Sequence, residues 1–142
     1  MTSVEGFMWV VLTVYLEARG EPPAGQKAVV KVILNRAKKR NWPLANIIFS
    51  RKQFSCWNDG IDGLVTKRKG FSVPANWITE LVTLASVYDN CIKGVNEWQA
   101  GNKLQGATHY YNPEDVKGGK PYWADSMEYV VTIDDHVFLK EI

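Results

Sequence analysis

An apolar helical stripe at the start of the chain constrains the fold more than any other feature. From Val4 to Leu16 the apolar residues recur three or four positions apart, which is the spacing of one helix face buried in a core. Further apolar residues lie on the other sides, so we expect this helix to be central. Gly20 and the pair Pro22-Pro23 end it, because glycine terminates helices and proline cannot continue them.

The rest of the chain predicts a helical first half and a small sheet in the second half. A long loop is expected from Ser50 to Pro74, where Gly, Asp, Asn and Lys are frequent. Helices are expected at about Ala24 to Arg40, Pro43 to Phe49 and Asn76 to Ile92, the last closed by Gly94. Strands are expected at Ala107 to Tyr111, Tyr129 to Ile133 and Val137 to Leu139, the last two joined by the turn Asp134-Asp135-His136. We therefore predict one α+β domain over residues 1–142, mainly helical, with a small antiparallel sheet in its C-terminal half.

Composition and charge exclude several classes of protein. With 142 residues, 46% hydrophobic and 23% charged, the chain is neither disordered nor a membrane protein. The net charge of +2 is too small for a nucleic-acid partner, although it is compatible with an anionic polymer. Glu5 comes early, no basic residue precedes Arg19, and the apolar run is shorter than the roughly 20 residues that span a bilayer. We expect no signal peptide and no membrane insertion.

The cysteines and histidines do not predict a metal site. Cys56, Cys91, His109 and His136 show none of the short ligand spacings of structural zinc. Two cysteines do not make a disulfide framework, and we favour two buried thiols over a disulfide between them. We expect no metal and no cofactor.

The informative segment is Glu17-Ala18-Arg19-Gly20-Glu21, where the apolar helix ends. Glu17 follows the apolar stripe directly, and a carboxyl at the edge of a core suits a general acid, which must hold its proton until the substrate takes it. Glu21 could be a second carboxyl for glycoside hydrolysis, but Gly20 disturbs the helix, so their separation cannot be derived. The structural alternative is that Glu17 pairs with Arg19 or a distant base and that Glu21 caps or braces the next helix.

Several short blocks of sequence follow one another in a fixed order over nearly the whole chain. They are Glu17 to Glu21, Gly25-Gln26, Ala28-Val29, Val32 to Arg36, Trp42-Pro43, Ile47-Ile48, Gln53 to Ser55, Gly106 to Pro113 and Val137-Phe138. Together they resemble the catalytic domain of the spore cortex-lytic type of cell-wall hydrolase. Related domains occur in bacterial and bacteriophage lysis proteins.

This resemblance implies a lysozyme-like fold and cleavage of peptidoglycan between N-acetylmuramic acid and N-acetylglucosamine. It also implies that Glu17 is catalytic, as the first Glu of the pentapeptide. Family members resemble lytic transglycosylases, in which the acid protonates the leaving oxygen and the muramic C6 hydroxyl closes onto C1, leaving a 1,6-anhydro end. Because one carboxyl then serves first as acid and later as base, no second catalytic carboxylate is required.

The remaining site residues divide into substrate contacts and supports. Asn35 lies within an apolar helical stretch, and we favour a bracing role for it because a buried amide needs hydrogen-bond partners. His109 is not expected to be a base. Expected supports are Asn35, Glu21 and Arg19; expected substrate contacts are Gln53, Phe54, Ser55, Trp57, Thr108, Tyr111, Asn112 and Trp123, with core packing an open alternative for Trp57 and Trp123.

A catalytic domain with no leader and no attached wall-binding module resembles a bacteriophage endolysin. We expect a monomer that is made in the host cytoplasm, is released by a holin-type, membrane-piercing partner, and acts on peptidoglycan glycan strands. Three alternatives stay open: a hydrolytic muramidase, an inactive wall-binding module, and an amidase, which would need zinc or a Cys–His pair.

Overall fold

The computed structural model describes residues 4–49 and 77–142. The loop expected between Ser50 and Pro74 lies outside the described residues. So do the four predicted substrate contacts Gln53, Phe54, Ser55 and Trp57.

The described chain is α+β, as the sequence predicts, with the sheet in the C-terminal half. The chain also forms three short 3₁₀ helices. One lies between the last long helix and the first strand, at Leu104–Gly106, and two lie between the first and second strands, at Pro113–Asp115 and Tyr122–Ser126. The helices are α1 (Val4–Ala18), α2 (Pro23–Arg40), α3 (Leu44–Ile48) and α4 (Trp77–Gln99), and the strands are β1 (His109–Tyr111), β2 (Met127–Ile133) and β3 (His136–Glu141).

Helix α2 lies at the centre of the fold, with ten of its 18 residues buried. Its Val29, Val30 and Ile33 pack in a core formed with α1, α3 and α4. On another side, Ala28 and Val32 pack with Phe138 of β3 in a second, smaller core. One helix therefore joins the helical layer to the sheet.

The sheet has the strand order β1-β3-β2, and both pairings are antiparallel. Strand β3 is central and carries the buried residues Phe138 and Leu139. Val130 is an extra residue opposite β3, because Tyr129 pairs with Leu139 and Val131 with Phe138. The hairpin is confirmed, but the turn is shorter than expected: His136 pairs with Ile133 and is the first, buried residue of β3.

Helix α4 does not end at Gly94, so that expectation is wrong. The helix continues to Gln99, and Gly101, which has a φ of +104°, follows its end. The amides of Gly101 and Asn102 bind the carbonyls of Trp98 and Glu97, the Schellman arrangement of a helix C-terminus. Gly94 is instead a point of close approach to α2.

Helices α2 and α4 are also held together by charges. Glu97 of α4 accepts from Lys27 at 2.7 Å and from Lys31 at 2.8 Å, and these two hydrogen bonds lower the pKa of the Glu97 carboxyl.

Cys91 of α4 is a free, buried thiol, and burial raises its pKa to about 12. Among the described helices, none combines the length and apolar character needed to cross a membrane.

We predict that Gly94→Val destabilises the fold by about 2 kcal/mol, the usual cost of overpacking a core. A Cβ at Gly94 would lie 3.2 Å from Cβ of Val30 and 3.4 Å from the Lys27 backbone, so the two helices would have to separate. Urea denaturation measures the effect. Ser86→Val, at an exposed site on the same helix, is the control and should change stability by less than about 0.5 kcal/mol. Equal effects of the two substitutions would contradict the close approach.

Candidate active site

Glu17 is the penultimate residue of α1 and is half-buried. It lies three and four positions after Val14 and Thr13, which are fully buried, and so continues the buried side of the helix. The carboxyl therefore lies at the point where the core side of α1 meets the surface.

Gln26 of α2 fixes the backbone that follows Glu17. Its Nε2 donates to the carbonyl oxygens of Ala18 at 3.2 Å, Arg19 at 3.4 Å and Glu21 at 3.2 Å. Its Oε1 accepts from Nδ2 of Asn90 on α4 at 2.8 Å. A buried amide thus holds the carbonyls at the end of α1 and in the turn to α2.

Arg19, predicted as a support, joins α1 to α4. Its Nη1 donates to the Tyr15 hydroxyl at 3.0 Å and to Oε2 of Glu80 at 3.2 Å. The guanidinium carbon lies 5.0 Å from the centre of the Tyr15 ring, a cation–π distance. The pair with Glu80 is partly exposed and contributes little on its own, so its main effect is to orient Arg19.

Glu21 lies in the turn between α1 and α2 and faces the sheet. Its Oε1 is 2.9 Å from Nδ1 of His136, and both side chains are about nine-tenths buried. The two atoms are close without hydrogen-bond alignment, since that nitrogen has no aligned acceptor. Burial raises the pKa of Glu21, a nearby His136 charge lowers it, and Asp135 and Asp134 raise it. A Cβ on Gly25 would lie 3.1 Å from Cβ of Glu21, so the glycine makes room for this carboxylate.

The contact with His136 brings the end of α1 to one end of the sheet. His136 is followed by Val137, which pairs with Tyr111 of β1. Tyr110 packs against both core clusters, and its ring centre lies 5.1 Å from that of His136. The turn that follows Glu17 is therefore held at the end of the sheet where β3 begins.

Tyr111 and Trp123, two predicted substrate contacts, lie together. Their ring centres are 6.0 Å apart and nearly perpendicular. His109, on the same face of β1, lies 5.4 Å from Trp123. Burial first and the Arg36 charge second lower the pKa of His109 to about 4, so its imidazole is neutral at neutral pH.

Asn35 is buried and holds a left-handed turn before β1. The three residues of the Leu104–Gly106 turn have φ of 52°, 53° and 85°, and a non-glycine residue there costs about 1 kcal/mol or more. Nδ2 of Asn35 donates at 2.8 Å to the carbonyls of Lys103 and Ala107, one on each side of the turn. Its Oδ1 accepts from Nε1 of Trp98 at 2.8 Å. Asn35 therefore binds backbone carbonyls and the Trp98 indole.

Thr108, an expected substrate contact, is buried just before β1. Thr108 is 2% exposed, its Oγ1 accepts from the Glu141 amide at 3.0 Å, and its carbonyl accepts from Nε of Arg36 at 2.6 Å. Its polar groups are thus bound inside the protein.

Asn112 is half-buried, and its Oδ1 accepts from the Glu114 amide at 3.0 Å, which caps the 3₁₀ helix that follows. Within residues 4–49 and 77–142, no group of three His, Cys, Asp or Glu side chains could hold a metal ion.

Comparison with known sequences identifies the family. Residues 20–139 match the family described as cell wall hydrolase. The chain belongs to this family. The match begins three residues after Glu17 and includes Glu21.

Curated relatives are spore cortex-lytic enzymes from bacilli. The Oceanobacillus iheyensis enzyme is 29% identical over 128 residues, which are 89% of this chain and 38% of that protein. The Bacillus cereus enzyme is 27% identical over 89% of this chain and 41% of its own length. The chain thus spans about two fifths of these relatives.

A solved structure shares the fold. The crystal structure of the catalytic domain of the Bacillus cereus SleB protein superposes with a TM-score of 0.67 and 25% identity. The likeness covers 99% of this chain and 93% of that domain.

Three residues of this region were not predicted as site residues. Gln26, Arg36 and His136 each bind a segment that is distant in sequence. A polar residue within an apolar helix is the signal that could have indicated Gln26 and Arg36, as it did Asn35. Nothing in the local pattern marks His136 as the partner of Glu21.

We predict that Asn35→Ala lowers the free energy of unfolding by about 3 kcal/mol, because it leaves buried polar groups of three residues without partners. Urea denaturation is the measurement. Asn96→Ala, at an exposed position of α4, is the matched control and should have little effect. A loss no larger than the control's would mean that Asn35 does not hold the turn.

Glu21 predicts a particular dependence of stability on pH. The pKa of Glu21 is raised in the folded protein above its ordinary value of 4.5. Between the ordinary pKa and the raised pKa, the folded state therefore binds more protons than the unfolded state. The stability contributed by Glu21 is then present at low pH and falls as pH rises through this window. Urea denaturation of wild type and Glu21→Gln from about pH 4 to about pH 7 should show wild type losing stability relative to the variant. Glu128→Gln, on the exposed side of β2, should show no such trend, and a relative gain for wild type would mean that attraction to a charged His136 outweighs burial.

Proposed function

We propose that this chain cuts the glycan strands of peptidoglycan between N-acetylmuramic acid and N-acetylglucosamine, as a lytic transglycosylase with Glu17 as general acid and base. The observation that carries the proposal is the position of Glu17. It is a half-buried carboxyl at the end of a helix in a domain shaped like the catalytic domain of the SleB protein. The names of the curated relatives support the wall as the substrate.

The surroundings of Glu17 suit proton transfer at a fixed point. The carbonyls that follow it accept hydrogen bonds from Gln26, which ties the end of α1 to α2. Tyr111 and Trp123 lie at the sheet end that Glu21 joins to α1. Their rings supply apolar faces next to which a sugar could lie.

In the proposed reaction, Glu17 gives its proton to the glycosidic oxygen as the bond from that oxygen to C1 of the muramic residue breaks. The C6 hydroxyl of the same residue then attacks C1 and gives its proton to the Glu17 carboxylate. The products are a 1,6-anhydromuramic end and a free 4-hydroxyl on the neighbouring sugar. Glu17 is protonated again, so one carboxyl completes the cycle.

The environment of Glu21 favours this route over hydrolysis. A hydrolytic muramidase of the inverting kind needs a second carboxylate that activates water. Glu21 is instead mostly buried against His136, where it braces the turn. We therefore assign Glu21, Asn35 and Arg19 to support. The bacteriophage origin and the holin-type partner stay predictions.

The test is mass spectrometry of the soluble fragments released from purified peptidoglycan. We expect wild type to release fragments with 1,6-anhydromuramic ends. Glu17→Gln should lower the rate at least about a hundredfold, the usual contribution of a general acid. Glu128→Gln, which removes an exposed carboxyl of β2, is the control and should cut like wild type.

Other products would change the assignment. Reducing muramic ends would mean hydrolysis and would return Glu21 to the list of catalytic candidates. Equal cutting by Glu17→Gln would remove Glu17. Binding to several wall types without any cutting by wild type would make this chain a wall-binding module.

A further inference from the structure

A groove of about 660 Å³ lies at the opposite end of α1 from Glu17. It is formed by the start of α1, the end of α2 with the segment after it, and the end of α4. Glu5 and Glu17 are twelve positions apart on one helix, which is about 18 Å along its axis. We name this the tryptophan groove; its main lining residues are Trp9, Leu34, Lys38, Trp42, Val95 and Trp98.

Aromatic rings give the groove its character. Trp42 is 47% exposed, which is unusual for the largest apolar side chain. Trp98 is held in one orientation because its Nε1 donates to Asn35. Rigid, partly exposed indoles offer flat apolar faces at little cost in side-chain entropy, and the C–H faces of sugar rings fit them.

Positive charge lies directly beside these rings. A second cavity of about 580 Å³ adjoins the groove at Lys38 and is also lined by Lys39 and Lys103. Nζ of Lys103 and of Lys38 lie 4.2 Å and 5.9 Å from the centre of the Trp98 ring. The two ammonium groups are close to one another, and contact with Lys38 lowers the pKa of Lys103.

Lys38 and Lys103 differ from the two basic residues that follow Lys38 in the chain. Arg40 is paired with Glu141 at 2.8 Å, and Lys39 donates to the Glu141 carbonyl at 3.5 Å. Within the described parts of the chain, no carboxylate forms an ion pair with Lys38 or Lys103. Two adjacent like charges are unfavourable alone, and an anionic group bound between them would relieve the repulsion.

We propose that the tryptophan groove and the lysines beside it form a second binding site for peptidoglycan glycan strands, separate from the Glu17 end. Sugar rings would lie against Trp42, and carboxylates of the strand's peptide stems would bind between Lys38 and Lys103. The proposal rests on the proposed function for its substrate class. A strand bound at this site would hold the enzyme on an insoluble polymer while the other end of the domain cuts.

Binding is tested with the Glu17→Gln chain, which does not consume its ligand, by co-sedimentation with purified sacculi stripped of teichoic acids. Adding Trp42→Ala, or Lys38→Gln with Lys103→Gln, should each weaken binding roughly threefold to tenfold, as loss of about 1 kcal/mol implies. The lysine variant should also make binding less sensitive to salt. Controls are Tyr129→Ala, an exposed aromatic on β2, and Lys93→Gln, an exposed lysine on α4, with thermal melts showing that every variant folds.

Activity gives a second, independent readout. In the chain with Glu17 intact, the groove variants should slow the cutting of insoluble sacculi severalfold and leave the cutting of short soluble glycan fragments unchanged. Equal binding by variants and controls would overturn the groove while leaving Glu17 chemistry standing. If wild type cuts nothing but binding still depends on Trp42 and the lysines, the groove stands and the proposed reaction fails. Weakening seen only with sacculi that retain teichoic acids would replace the glycan strand by those polymers and overturn the proposal.

Discussion

The burial of helix α2 on almost every side determines how the surrounding segments are placed. Its buried polar side chains, among them Gln26, Asn35 and Arg36, have little contact with water, so each must find partners within the protein. Gln26 donates hydrogen bonds to carbonyls at the end of α1 and in the turn after it, and Asn35 donates to the two carbonyls that flank the left-handed turn. Arg36 donates to the carbonyl of Thr108. One helix thereby fixes the end of α1 and the start of the sheet with respect to each other.

This arrangement buries the ionisable side chains of Glu21 and His136, which costs free energy. A buried carboxylate loses hydration, and its pair with His136 offsets that loss only in part, since burial still raises the pKa of Glu21. The pair nevertheless joins the turn after Glu17 to the first residue of the central strand. Such buried pairs are weak sources of stability, and here the geometric consequence is the larger one.

The sequence predicts the elements well wherever the signal is local. The apolar stripe and the Pro22-Pro23 pair place α1 and α2 within two residues of their ends, and the β-prone runs place the hairpin. The prediction at Gly94 is wrong because a glycine that ends a helix and a glycine that allows two helices to touch look the same in sequence. The close approach to Val30 in the structure decides between them. Glu21 and His136 are 115 positions apart in sequence (136 − 21), and no local pattern reports such a contact.

The block Gly106 to Pro113 shows what a sequence resemblance conveys and what it does not. The resemblance covers the whole block, and the substrate contacts expected within it are Thr108, Tyr111 and Asn112. In the fold, its first half consists of a left-handed glycine, a buried Ala107 and a buried Thr108 bound by Glu141 and Arg36. Only the second half carries Tyr111, next to Trp123. A backbone that turns left-handed and then enters a sheet restricts which residues it accepts. The observed contacts of the first half of the block thus lie within the protein, while the substrate contacts expected at Thr108, Tyr111 and Asn112 stay predictions.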